Sequence, residues 1–140
     1  MEEIRIFKRN IEEETLKNEH YRKVLFTTPT MQLVVMKLHM GESIPEEAHR
    51  GTQFVRVERG KALVIIEGKD IVLKDDDIIM IPGGVLHYFE NIGEGPLFLY
   101  SLYSPPEHDP DEIEFYPQDP KAQSNILIYE KEIFIWIGLC

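Results

Sequence analysis

Along the chain, apolar residues fall into short blocks, each closed by Gly, Pro or Asp. Val24–Thr28 closes at Pro29, and Gln32–Met40 follows. Phe54–Val57 leads to the turn Arg59-Gly60-Lys61, and Ala62–Ile66 leads to Glu67-Gly68-Lys69. Ile71–Leu73 meets an acidic turn at Asp75–Asp77, and Ile78–Ile81 ends at Pro82-Gly83-Gly84. His87–Ile92 ends at Gly93-Glu94-Gly95-Pro96, and Leu97–Tyr103 at Ser104-Pro105-Pro106. Short strands with such punctuation predict an all-β sandwich or barrel, not alternating β and α units. One helix is predicted, Ile11–Lys17, with Asn10 as its cap.

Two stretches depart from this rhythm. His108–Gln123 carries Pro110, Pro117 and Pro120 among acidic residues, which predicts an extended surface segment or a partly disordered tail. Asn125–Leu139 is rich in β-formers, with two apolar runs split by Glu130-Lys131-Glu132. It reads as a hairpin, or as strands added to the sheet of a second copy, and in either case as covered. The expected organisation is an N-terminal segment 1–22, a β-barrel 23–106 and an acidic, Pro-containing C-terminal segment 107–140.

Bulk properties narrow the function. With 140 residues and 43% hydrophobic content, one domain with a real core is expected. A formal net charge of −10 disfavours nucleic acid and anionic membrane surfaces as partners. No apolar run approaches the ~20 residues that span a bilayer. The single cysteine, Cys140, allows no internal disulfide, and the first residues lack a basic-then-apolar leader pattern, so a cytoplasmic setting is expected.

Candidate chemistry sits in two stretches. In the first, Glu47, His49, Gly51 and Gln53 share parity, and residues two apart on an extended chain face the same way. Gly51, having no side chain, leaves a small space among three polar donors. In the second, Asp76 to Asn91, an apolar strand enters the Pro82-Gly83-Gly84 turn and emerges with His87, which a hairpin would bring opposite that trio. Elsewhere, His39 reads as surface or core. Phe54, Tyr88, Tyr100 and Tyr103 read as core, with a pocket lining as the rival. His20 and His108 read as solvated. There is no Ser-His-Asp or phosphate-loop pattern, and terminal Cys140 is not a candidate nucleophile.

These residues resemble the two signature motifs of the cupin superfamily, of the small single-domain kind. The first motif is Gly, five residues, His-x-His, three or four residues, Glu, six residues, Gly, met here by Gly41, Glu47-Ala48-His49, Gln53 and Gly60. The second is Gly, five residues, Pro-x-Gly, two residues, His, three residues, Asn, met by Asp76, Pro82-Gly83-Gly84, His87 and Asn91. The resemblance implies a double-stranded β-helix (jelly-roll) barrel that binds a divalent transition metal (Fe, Mn, Ni, Zn or Cu) through Glu47, His49, Gln53 and His87. Glu47 stands where the family has its first histidine and Gln53 where it has its glutamate, so the carboxylate has changed place while the formal ligand charge is kept. Two histidines and a carboxylate are also the donors of non-haem iron oxygenases. The rival readings are packed histidines, an ordinary acidic loop at Glu47 and a hydrogen-bonding amide at Gln53.

The resemblance further implies a metal-dependent enzyme on a small oxygen-rich organic substrate, dioxygenase-like. The alternatives are a sugar isomerase or epimerase and a non-catalytic small-ligand binder. A phosphorylated substrate fits less well, since Arg56 has the wrong parity for a cavity and Arg50 and Arg59 read as exposed. The family commonly forms homodimers, which is the expected state here.

Overall fold

In the computed structural model, residues 3–117 are described. One helix, α1 (Ile11–Lys17), precedes ten strands: β1 (Arg22–Thr27), β2 (Gln32–Leu38), β3 (Ser43–Glu47), β4 (Thr52–Arg59), β5 (Ala62–Ile66), β6 (Lys69–Leu73), β7 (Ile78–Ile81), β8 (His87–Asn91), β9 (Leu97–Ser104) and β10 (Ile113–Glu114). They make a six-stranded sheet, β10-β1-β2-β9-β4-β7, and a four-stranded sheet, β3-β8-β5-β6. All strand pairs are antiparallel, and the arrangement is the jelly-roll barrel that the family resemblance implied.

Side-chain alternation builds the interior. On β4, Gln53, Val55 and Val57 are buried while their neighbours are more open. The register carries this alternation across the large sheet in rows. Val57, Leu99 and Met36 form one inward row, and Val55, Ser101 and Val34 the next. The third row is Gln53, Tyr103 and Gln32, all buried. Each fully buried Val or Leu contributes about 1.5–3 kcal/mol, so the apolar rows hold the sheets together and the polar row marks the end where chemistry can sit. From the small sheet, Phe89, Val64 and Ile44 complete the core.

The helix has the predicted bounds, and the Asn10 side chain accepts from the Glu13 backbone N–H at 3.0 Å. It lies against the large sheet at β2, β4 and β9, where outward-facing Val35 is fully buried. Two elements differ from expectation. Strand β3 forms despite Pro45, with a register shift between Ile44 and Glu47. Part of the segment read as surface chain supplies β10, which pairs with β1 through Arg22–Glu114 and Lys23–Ile113. The hairpin expected over Asn125–Leu139, and Cys140, lie outside the described residues. Among the described residues, no helix is long and apolar enough to cross a membrane.

Two turn positions matter for the site. A Cβ on Gly51 would run into the carbonyl oxygen of Ser104 and the Pro105 ring, so only glycine lets these two segments meet there. Asp76 has φ +71°, the left-handed region where glycine is unstrained, which accounts for glycine being usual at this motif position.

Candidate metal centre

Three of the four sequence-predicted residues converge through strand pairing. His87 opens β8 just after the Pro-Gly-Gly turn and lies opposite Glu47 at the end of β3. His49 follows two residues later, in the bend between β3 and β4. One carboxylate oxygen of Glu47 and one ring nitrogen from each of His49 and His87 all lie within 4.8 Å of one another. The two imidazole centroids are 4.9 Å apart. Gln53, the fourth, is fully enclosed on β4. Its amide donates to the Ser101 and Tyr103 hydroxyls, each at 3.2 Å, which turns its oxygen into a buried acceptor without a partner.

His87 is the most informative of the four. Its Nδ1 lies 2.9 Å from the Val85 carbonyl oxygen, which can only accept, so the neutral ring carries its proton there. Nε2 is left with a free lone pair, buried and without any hydrogen-bond partner. An unpaired buried polar atom costs about 1–3 kcal/mol, a cost that a cation held on this lone pair would remove. Burial holds the His87 imidazole below its usual pKa, with the His49 charge pushing the same way and the Val85 bond opposing, so the ring is neutral near pH 7.

His49 stands between two carboxylates. Nε2 lies 3.3 Å from Glu47 and Nδ1 3.1 Å from Glu107, close ion-pair contacts rather than well-directed hydrogen bonds. Burial pushes its pKa down, but the two carboxylates together outweigh burial and raise it. For Glu47, burial pushes the carboxyl up, while His49 and the Arg22 charge bring it net below its usual range. Glu47 is therefore ionised near neutrality, and His87 offers a free lone pair, the states a cation requires.

The sequence reading missed two residues here. Arg22 is 7% exposed, turns inward from β1 like Val24, and binds Glu114 at 2.8 Å through Nη1. Its alternation with Val24 was the available signal. Glu107 reaches the site from the segment after β9, and no local pattern marks it. The reading of His108 is corrected: it is not solvated. Its ring packs edge-on against Tyr103 at 5.2 Å, Nδ1 lies 3.3 Å from Glu112, and burial drops its pKa to about 4.

The other candidates stay out of the cluster. His39 is exposed, and half-buried His20 packs edge-on against Phe115. The core reading fails for three aromatics, which take the parity opposite to the inward rows: half-buried Phe54 and Tyr100 pack together on the outer face, and the hydroxyl of half-buried Tyr88 donates to Glu90. Tyr103 borders the cluster, edge-on to His49 at 5.2 Å, and Phe89 stands edge-on to His87 at 6.0 Å. Arg56 points outward to Asp76 at 2.8 Å, and Arg50 and Arg59 are exposed. Asn91 is structural: its amide bonds the Leu38 and Gly95 carbonyls and accepts from the Gly93 N–H.

Comparisons with known proteins agree with this fold. A family model described as a cupin domain matches residues 34–103. The chain is 42% identical over 110 residues to protein L612 of Acanthamoeba polyphaga mimivirus, covering 75% of this chain and 69% of that one. It is 38% identical over 106 residues to YrkC of Bacillus subtilis, covering 71% of this chain and 57% of that one. The crystal structure of BH2720 from Bacillus halodurans superposes with a TM-score of 0.77 at 37% identity, covering 79% of this chain and 89% of that one.

Proposed function

The chain belongs to the cupin family, and from that premise we propose that it binds one divalent transition ion through Glu47, His49 and His87, with Gln53 as a weaker fourth donor, and acts on a small oxygen-rich organic substrate in dioxygenase-like fashion. The observation that carries this reading is the buried, partnerless Nε2 of His87, within 4.8 Å of donor atoms on Glu47 and His49. The donor set fits a cation, since it joins one carboxylate, two imidazoles and an amide oxygen freed by its bonds to Ser101 and Tyr103. A bound ion of this class supplies Lewis-acid or redox chemistry.

The chain's own residues have definable parts. Val85 fixes the His87 tautomer. Ser101 and Tyr103 turn the Gln53 oxygen free. Glu47 and Glu107 together would offset the two positive charges of a bound ion, and Glu114 already neutralises Arg22. A phosphorylated sugar is disfavoured on the same ground: the buried cation near the cluster, Arg22, is paired. A second reading, an ion or ligand binder without turnover, is favoured by one observation: the His87 Nε2 and Gln53 Oε1 atoms are almost wholly enclosed.

The test is metal analysis of the full chain purified without chelator or nickel resin, then oxygen uptake with enediols and catechols. Metal near one per chain with substrate-dependent uptake supports the enzyme. Metal without uptake on any of the panel favours the binder, and no metal removes both.

A further inference from the structure

We infer that Glu107 is a positioning residue of the metal centre, holding the His49 ring so that Nε2 serves the ion, and that Gln32 fixes Glu107 in place. The inference rests on the metal reading above and extends it to a segment outside both family motifs.

A neutral imidazole that gives its Nε2 lone pair to an ion carries its proton on Nδ1, and a buried N–H needs an acceptor. His49 is 6% exposed. Glu47 lies on the Nε2 side of its ring and Glu107 on the Nδ1 side, at 3.1 Å. The two carboxylates thus hold different stations: Glu47 shares the cluster with both histidines, while Glu107 touches only the far nitrogen of one. Such outer partners set ring orientation and tautomer, and their loss typically costs about 10–100-fold in metal affinity.

The placement of Glu107 is itself built. After β9 the chain bends over the end of the barrel, and Gln32 in β2, with no solvent exposure, receives it. The Gln32 oxygen accepts from the backbone N–H groups of Glu107 at 3.2 Å and His108 at 2.8 Å. Its amide donates to the His108 carbonyl at 2.7 Å and to the Thr27 hydroxyl at 3.0 Å. Every hydrogen-bonding valence in use on this buried side chain, save that to Thr27, grips the two residues that carry Glu107 and its neighbour. Gln32 belongs to the same inward row as Tyr103 and Gln53, so one row of the sheet supports both ends of the centre.

The test titrates cobalt(II) into metal-stripped full-length protein and reads the His49 tautomer by nitrogen NMR of the metal-free protein at alkaline pH. Glu107→Ala is expected to weaken cobalt binding about 10–100-fold and to shift the His49 proton away from Nδ1. Glu107→Gln, which keeps an acceptor oxygen, is expected to restore both. Unchanged affinity and tautomer in Glu107→Ala overturn the inference. A loss as complete as in His49→Ala, with no rescue by Gln, also overturns it, since Glu107 would then be a ligand. If the native protein takes no cobalt yet the tautomer responds as expected, the metal reading fails and the positioning of His49 by Glu107 stands.

Discussion

His87 and Asn91 open and close the same strand, and both are buried, at 1% and 2% exposure. Asn91 spends its whole amide on the protein, with bonds of 3.0 Å to Leu38, 2.9 Å to Gly95 and 2.9 Å from Gly93. His87 places one nitrogen against Val85 and leaves the other bare. The difference separates two uses of a buried polar side chain. A satisfied one fastens the turn at one end of the strand, and an unsatisfied one, beside other donors, offers a lone pair to a ligand at the other end. Burial and residue type alone do not distinguish the two; hydrogen-bond accounting does.

Substitutions at the two ends of β8 should therefore part company. His87→Ala is expected to abolish stoichiometric metal binding at micromolar metal while the protein still folds, as read by isothermal titration and circular dichroism. Asn91→Ala is expected to leave metal affinity as it was and to lower stability by about 2–3 kcal/mol, because it strands the buried Leu38 carbonyl and releases two partly buried contacts to the Gly93–Gly95 turn. Chemical denaturation measures that loss, and equal effects of the two substitutions on metal binding would break the comparison.

His108 sharpens it further. Its Nε2 is also buried and unpartnered, yet the Glu47–His49–His87 cluster does not include it. Its cost should appear as acid sensitivity. Burial, with the Arg22 charge in support, lowers the folded pKa to about 4 against an ordinary 6.5. Between those values the unfolded chain binds more protons, so stability is full above pH 6.5 and falls as pH drops toward 4. His108→Gln is expected to remove about 2 kcal/mol of that acid-side loss, measured by melting at pH 7 and pH 4.5. The smallest effect is expected at Asp76. Asp76→Gly relieves the left-handed strain but gives up an exposed contact with Arg56, for a net gain of about 0.5 kcal/mol by denaturant midpoint.

How far the sequence carried the account depends on how local each cause is. β5 and β7 were read at their observed bounds, because their apolar runs end in turns that nothing else overrides. Glu47, His49 and His87 were legible from the spacing of the two motifs, but the hairpin expected to carry His87 across does not form: β7 pairs with β4 in the large sheet, while β8 crosses to the small sheet and meets Glu47 by pairing with β3. β3 was not, because Pro45 reads as a break while the bulge beside it absorbs the irregularity. Arg22 was passed over since arginine in a strand reads as solvent-facing, and its burial depends on Glu114, distant in sequence. Glu107 and His108 had no local signal at all. Both are brought in by Gln32, whose partners lie more than seventy residues away along the chain.

The most direct measurement is an anomalous-difference map from crystals of the protein loaded with manganese or cobalt. A single strong peak within about 2.0–2.3 Å of a Glu47 oxygen and of ring nitrogens on His49 and His87 is the predicted result. A fully loaded crystal whose peak lies elsewhere, or touches only one of the three, would contradict the account.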